Sequence, residues 1–140
     1  MSYLIDTNVL SELRRKDPHP SVIAWMINRP PSILYLSVLT LGEIRKGVEA
    51  LKDSKRKREL TDWLEADLPH FFCGRILNID AKVADLWGQI IATAGRPIPA
   101  IDSLIAATAL QHGLSLVTRN SKDFQYSGLE VINPWEDSAS

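Results

Sequence analysis

The chain has 140 residues, of which 45% are hydrophobic and 24% are charged, and its formal net charge at pH 7 is -1. These values are typical of one globular domain and exclude a disordered or fibrous chain. The charge also excludes a generally basic coat for nucleic acid, so a polyanion would need a local basic patch or bound metal ions. No apolar stretch approaches the roughly 20 residues of a membrane span. The single cysteine, Cys73, follows two phenylalanines and is interpreted as a small core residue in a reducing compartment. We therefore expect one cytoplasmic domain over residues 1–140.

Short apolar runs alternate with helical patterns along the chain. The runs that predict strands are Tyr3–Ile5, Ile33–Ser37, Arg75–Ile79, Ser115–Thr118 and Leu129–Ile132. The expected helix starts are Thr7 or Asn8, Ser21, Thr40, Asp80 and about Ile101, with a further helix after the basic segment Lys52–Arg58. Gly95 and Gly113 are expected to close the last two helices. This alternation predicts an α/β fold, a three-layer α/β/α sandwich around a central parallel sheet of four to five strands.

Asp6 directly follows the first strand, which is apolar without alternation and is therefore expected to be buried on both faces. A carboxylate at the carboxyl end of such a strand lies where open α/β sheets bind their ligands. The competing interpretation is that Asp6 only caps the next helix.

Three further acids are expected at the same edge of the sheet. Glu43 falls in the first turns of a helix, Asp102 in the first turn of the late helix, and Asp123 shortly after the fourth strand. In right-handed βαβ units, strand ends and the starts of the following helices converge. Each acid could instead complement a helix dipole or shape a turn. Their coincidence favours a chemical role.

Four carboxylates in one crevice repel each other by several kcal/mol, so protons or cations must compensate. Hard divalent ions are the natural partners, and Mg²⁺ is commonly held by one or two carboxylates together with substrate phosphate oxygens. Two such ions can stabilise the attacking and leaving oxygens of a phosphoryl transfer. The three histidines are scattered and offer no zinc spacing.

The motifs that carry these acids resemble those of a PIN domain. They are Asp6-Thr7-Asn8, Glu43 followed by Gly47, Asp102 within residues 101–107, and the run from Thr118 to Phe124 that contains Asp123. The pattern is most similar to the VapC and FitB toxins of type II toxin-antitoxin pairs, and the terminal Asn133-Pro134-Trp135 is similar to the FitB group.

The resemblance implies an endoribonuclease that cleaves RNA phosphodiester bonds with a metal-activated water and uses Mg²⁺, with Mn²⁺ as a substitute. It also implies a homodimer silenced by a VapB- or FitA-like antitoxin, in a larger complex that binds DNA. Asp6 and Asp102 would be metal ligands, and Glu43 and Asp123 would complete or tune the catalytic site. Asn8, Thr118 and Asn120 would be supporting polar residues that orient ligands or water.

Two alternatives stay open at this point: a catalytically silent PIN-fold protein that only binds an antitoxin, and a small phosphatase with an acidic pocket. Against the phosphatase, Asn8 stands where a second aspartate would be expected. Separately, a basic run could contact RNA phosphates or could simply be a solvated helix start. Its members are Lys52, Lys55, Arg56, Lys57 and Arg58.

Overall fold

Five parallel strands form the centre of the fold in the computed structural model, which describes residues 1–136. They are β1 (Tyr3–Ile5), β2 (Leu34–Ser37), β3 (Ile76–Leu77), β4 (Ser115–Val117) and β5 (Val131–Ile132). Their order across the sheet is β3-β2-β1-β4-β5, with β1 in the middle. Tyr3 is in register with Leu34 on one side and with Ser115 on the other. The predicted parallel sheet is confirmed, although β3 and β5 are shorter than the apolar runs that contain them.

Helices connect the strands. They are α1 (Thr7–Leu13), α2 (Pro20–Ile27), α3 (Val38–Glu49), α4 (Lys55–Asp62), α5 (Leu68–Phe71), α6 (Ala81–Thr93) and α7 (Ala100–Gln111). A π-helical turn, Trp63–Asp67, joins α4 to α5, and short 3-10 turns occupy Pro31–Ile33 and Ser121–Asp123. α-Helices connect β1 to β2, β2 to β3 and β3 to β4, as is usual for parallel pairing, whereas the crossover from β4 to β5 contains only the 3-10 turn Ser121–Asp123.

Hydrophobic cores form on both faces of the sheet. Along β1, Tyr3 and Ile5 pack in one buried cluster with Trp25, whereas Leu4 packs in another with Ile105. Successive strand side chains point to opposite faces, so these clusters lie on either side of the sheet. This confirms the three-layer α/β/α architecture predicted from the sequence.

Several helix starts differ from the predicted ones. Asp6 caps α1, where Thr7 or Asn8 was expected, His19 caps α2 in place of Ser21, and Ser37 caps α3 in place of Thr40. In α1 and α3 the helix follows its strand without a loop, so the last strand residue or its neighbour supplies the cap. Asp80 caps α6 as predicted, and its carboxylate accepts a 2.9 Å hydrogen bond from the Val83 N–H.

The interpretation of Cys73 as a core residue is wrong, because the thiol is exposed. Phe72 occupies the core position instead, and the chain then turns at Gly74, whose φ of +79° favours glycine. Gly95 and Gly113 also have positive φ and close their helices as predicted. In the described part of the chain, no helix combines the length and the apolarity that a membrane crossing requires.

Candidate active site

The carboxyl edge of the sheet carries an acidic cavity of about 470 Å³. Asp6 enters it from the end of β1, Glu43 from the second turn of α3, and Asp102 from the first turn of α7. The complete lining is Asp6, Thr7, Asn8, Ser11, Glu12, Arg15, Glu43, Asp102, Arg119, Asn120 and Trp135. Three of the four predicted acids thus line one cavity. It lies at the predicted edge of the sheet, where strand ends and helix starts converge.

Asp6 is only 6% exposed and is held on both carboxylate oxygens. Its Oδ1 accepts a 2.8 Å hydrogen bond from the Thr7 N–H, and its Oδ2 accepts a 2.8 Å bond from the Thr118 hydroxyl. The Asn8 amide also donates to Oδ2, at 3.4 Å. Asp6 is therefore both the cap of α1 and a fixed carboxylate of the cavity, so the two interpretations of this residue do not exclude each other.

The predicted supporting residues Asn8, Thr118 and Asn120 form one network beneath Asp6. The Thr118 Oγ1 accepts hydrogen bonds from the Asn8 amide and from the Asn120 N–H, both at 3.1 Å. The Asn8 Oδ1 accepts from the Arg119 N–H at 3.1 Å. This network ties the start of α1 to the loop after β4, which are 110 residues apart in the sequence.

Glu43 and Asp102 are held less tightly than Asp6. The Thr7 hydroxyl donates a 2.6 Å hydrogen bond to Glu43 Oε1. The Asp102 carboxylate accepts no hydrogen bond from residues 1–136. Neither of them, nor Asp6, forms an ion pair with a Lys, Arg or His of that range. These three carboxylates are therefore unpaired among the described residues, although Arg15 and Arg119 line the same cavity.

Burial, reinforced by the repulsion between the acids, changes the acidity of the site. Burial raises the pKa of Asp6 to about 6, with the charges of Glu43 and Asp102 adding to the rise, although hydrogen bonds from Thr118 and Thr7 oppose it. Burial, together with repulsion from Glu43 and Asp123, also raises the pKa of Asp102. Such shifts mark sites where a cation or a proton is needed.

The donor set fits a hard divalent ion held in part by water or substrate. No three His, Cys, Asp or Glu side chains among the described residues converge closely enough to hold one ion by themselves. Mg²⁺ commonly binds through one or two carboxylates and completes its shell with waters and phosphate oxygens, so it does not need such a cage. The cavity therefore has the oxygen ligands for an ion of this class, but not the closed ligand set of a structural zinc site.

Asp123 lies apart from the other acids. It is exposed in the 3-10 turn after β4 and does not line the acidic cavity. Its charge nevertheless raises the pKa of Asp102, which places the two carboxylates within electrostatic range. The sequence predicts Asp123 at this edge because the residue follows β4. The length of the loop does not determine whether its side chain points into the cavity or into solvent.

The five residues of the basic run do not form one cluster of free charges, because most of them make separate contacts with their surroundings. The Lys57 ammonium donates to the carbonyls of Glu49 and Leu51 at the end of α3, and Lys55 and Arg58 pair loosely with Glu59 and Asp53. Lys52 is exposed. Arg56 donates to the Arg14 carbonyl and lines a cavity of about 250 Å³ that also contacts Thr7, Ser11 and Glu43. Arg56 is thus the member of the run that lines a cavity adjoining the acidic one.

Glu12 is a site residue that the sequence interpretation missed. It is 4% exposed and accepts hydrogen bonds from the His19 N–H at 2.8 Å and from Arg15 Nη1 at 3.1 Å. Burial raises the pKa of Glu12, but these hydrogen bonds and the charges of Arg15 and Arg119 outweigh it, so the pKa lies below its ordinary value. A signal was present: Glu12 lies three residues after buried Val9, on the core face of α1, and three residues before Arg15.

Comparison with known proteins gives consistent matches over this whole region. A family model for the PIN domain matches residues 3–127. The chain is 42% identical over 137 residues to Toxin FitB of Neisseria gonorrhoeae, covering 96% of this chain and 99% of that protein. It is 37% identical over 136 residues to VapC ribonuclease Y4jK of Sinorhizobium fredii, covering 95% and 97% respectively.

Solved structures match the fold as well as the sequence. The crystal structure of FitAcB from Neisseria gonorrhoeae superposes with a TM-score of 0.89 at 41% identity, over 96% of this chain and 99% of that one. A structure of FitAB bound to an IR36 DNA fragment gives 0.88 at 40% identity, over 95% of each chain. A toxin-antitoxin complex from Klebsiella pneumoniae gives 0.70 at 26% identity, over 96% and 99%.

Proposed function

We propose that this chain, which belongs to the PIN-domain family, is a metal-dependent endoribonuclease and the toxin of a type II toxin-antitoxin pair. The observation that carries the proposal is the acidic cavity, where Asp6, Glu43 and Asp102 face a common space and none of them pairs with a cationic side chain of residues 1–136. Three carboxylates without an ion-pair partner supply the oxygen ligands that a divalent ion prefers, and such an ion attracts phosphate.

The proposed ion is Mg²⁺, with Mn²⁺ able to take its place. Asp6 and Asp102 would hold it, and Glu43 and Asp123 would tune these two ligands through their charges. When bound, the ion would supply charge stabilisation to the scissile phosphate and acidify the attacking water. The chain's own part is orientation: Thr118 and Asn8 fix the Asp6 carboxylate, and Thr7 fixes Glu43.

The proposed partners follow from the relatives. FitAB is a complex bound to DNA, and the Klebsiella structure is a toxin-antitoxin complex. We propose by analogy that this chain forms a homodimer and is silenced by a VapB- or FitA-like antitoxin, within an assembly that binds DNA. RNA is the proposed substrate, because ribonuclease is the activity named for the VapC relative.

The direct test is cleavage of RNA by the purified protein with Mg²⁺, with Mn²⁺ and with a chelator. We expect cleavage with either ion and none with the chelator. Asp102→Asn should reduce the rate by about 100-fold or more, because loss of a ligand removes several kcal/mol of transition-state stabilisation and each 1.36 kcal/mol is about tenfold.

Asp85→Asn is the matched control, since Asp85 is exposed on α6 and accepts a hydrogen bond from Gln89 outside the cavity. Its rate should equal that of the unaltered chain. Cleavage that continues at full rate in Asp102→Asn, or in the chelator, would remove the acidic cavity from the reaction. Expression without the antitoxin should arrest growth, and expression of Asp102→Asn should not.

A further inference from the structure

A second cavity, of about 520 Å³, opens from the acidic one. Four residues line both: Glu12, Arg15, Arg119 and Trp135. The remaining lining of the second cavity is Asp17, Pro18 and His19, from the turn between α1 and α2, and Pro20, the first residue of α2. The two cavities together form one continuous concave surface. Asp6, Glu43 and Asp102 lie in the first cavity, and the guanidinium groups of Arg15 and Arg119 lie where the two cavities meet.

Arg15 is held at this junction by Glu12. Arg15 Nη1 lies 3.1 Å and 3.3 Å from the two carboxylate oxygens of Glu12. A buried carboxylate needs such a partner, and Glu12 also accepts from the His19 N–H, which fixes the turn that forms the cavity wall. The Arg15 side chain remains 64% exposed, so its other N–H groups are available to a ligand.

Arg119 has a fixed backbone and an uncommitted guanidinium. Its N–H donates to the Asn8 side chain, and its carbonyl accepts a 3.2 Å hydrogen bond from the Asn133 amide. Its Cζ lies 5.2 Å from the centroid of the Trp135 ring, and the Trp135 N–H is in turn bonded to Asn133 Oδ1 at 2.9 Å. Within residues 1–136 the guanidinium itself has no hydrogen bond and no ion pair. The loop therefore orients a cation over an aromatic ring but leaves its donors free.

The charges and geometry suit a phosphate group. The negative charge of Glu12 is balanced by the guanidinium groups of Arg15 and Arg119. The other acid that lines the second cavity, Asp17, is exposed. The planar fork of arginine matches phosphate oxygens, and one face of Arg119 is already covered by Trp135. Arg119 and Asp6 share Asn8 as a hydrogen-bond partner, so the spacing between the guanidinium loop and the acidic cavity is set by direct contacts.

We propose that Arg15 and Arg119 form a subsite for an RNA phosphate next to the one that is cleaved. The inference rests on the proposed function, because it assigns the neighbouring phosphate of the same substrate. An RNA strand carries a phosphate at every nucleotide, and carboxylates at the cleavage position would repel the flanking ones unless cations receive them. An acidic segment of a protein partner is the competing occupant. RNA is favoured because the subsite opens directly into the cavity proposed to hold the scissile phosphate.

The test is the salt dependence of RNA binding, measured by fluorescence anisotropy with a short labelled single-stranded RNA. A chelator prevents cleavage, and salt is varied from about 50 to 200 mM. Arg15→Gln and Arg119→Gln should each weaken binding severalfold at low salt. Each should also flatten the plot of log affinity against log salt by about 0.7, the contribution of one phosphate contact to a single strand.

Two controls separate charge from fold. Arg119→Lys retains the positive charge and should keep the slope. Lys82→Gln removes an exposed charge on α6 that lines neither cavity, and its slope should equal that of the unaltered chain. Thermal melts of each glutamine variant check that the fold persists, and Arg15→Gln keeps the inference testable if Arg119→Gln does not fold.

The outcomes distinguish the subsite from the function. If the unaltered chain cleaves RNA but both glutamine variants keep its affinity and slope, the subsite is wrong and the proposed function stands. If the unaltered chain neither binds nor cleaves RNA, the proposed function fails and the subsite fails with it. If both variants bind RNA normally but lose affinity for the co-expressed antitoxin, the cavity receives the protein partner and the RNA subsite is overturned.

Discussion

The Thr7 hydroxyl donates a 2.6 Å hydrogen bond to Oε1 of Glu43, across 36 residues of sequence. Thr7 is the first residue of α1, and its N–H also donates to Asp6. One residue therefore fixes the position of two carboxylates on neighbouring elements of the sheet edge. Without it, Glu43 would be free to turn towards solvent, away from the repulsion of the other acids.

Thr7→Val should therefore impair Glu43 without removing it. A hydrogen bond to a charged group contributes about 1.5–3 kcal/mol, so the cleavage rate should fall by about tenfold or more. Thr7→Ser keeps the hydroxyl and should retain most of the activity. The measurement is kcat for RNA cleavage at saturating Mn²⁺. Equal rates for the valine and serine variants would show that this hydrogen bond does not position a catalytic carboxylate.

Arg56 and Lys55 should differ in their effect on RNA binding. Arg56 lines the cavity that adjoins the acidic one, whereas Lys55 is 85% exposed and faces Glu59 at 3.8 Å. Arg56→Gln should flatten the salt dependence of RNA affinity by about 0.7, and Lys55→Gln should change it less. Anisotropy titrations at several salt concentrations measure both. An unchanged slope in Arg56→Gln would favour the interpretation of the whole run as a solvated helix start.

The raised pKa of Asp6 predicts the pH dependence of metal-free stability. Its pKa is about 6 in the folded state and near 3.8 when unfolded, so the folded state binds more protons between these values. The free energy of unfolding should therefore fall as pH rises from about 4 to about 6. The difference of about two pKa units, at 1.36 kcal/mol per unit, bounds this loss at about 3 kcal/mol.

Denaturant titrations in chelator from about pH 4 to pH 8 test this sign. Asp6→Asn removes the titrating group, so the difference between the two stability curves isolates its contribution. Asp85→Asn, which alters an exposed acid on α6, should leave the dependence unchanged. A stability that rises through this pH range because of Asp6 would mean that its carboxylate is compensated in the folded state, contrary to the structure.

The sheet was predictable because its strands are buried on both faces. Tyr3–Ile5 is apolar without alternation, and it became the central strand β1. The helix starts were less predictable, since Ser, Thr, Asp and Asn all favour capping and several stand in succession. The choice of Ser37 over Thr40 depends on the chain turning into α3 immediately after β2. Cys73 was misplaced because it lies in the turn after α5, and adjacent phenylalanines do not reveal where a helix ends or which residues at its end face the core.

Asp6, Glu43 and Asp102 could be placed at one edge from topology alone, because that edge is fixed by strand direction. The exposed position of Asp123 could not be predicted from topology, since it depends on the 3-10 turn at Ser121–Asp123. The contact between Glu12 and Arg15 was accessible from helical spacing. The approach of Arg119 to Trp135 depends on the path of the chain after β5, which no periodicity encodes.

The central claim, that the acidic cavity holds a divalent ion, is tested most directly by calorimetric titration of the apo protein with Mn²⁺. We expect saturable binding by the unaltered chain and by Asp85→Asn. Asp102→Asn should raise Kd by about tenfold or more, which corresponds to a loss of about 1.4 kcal/mol of binding free energy. Binding of equal affinity in Asp102→Asn and the unaltered chain would contradict the account, because the ion would then lie outside the cavity formed by Asp6, Glu43 and Asp102.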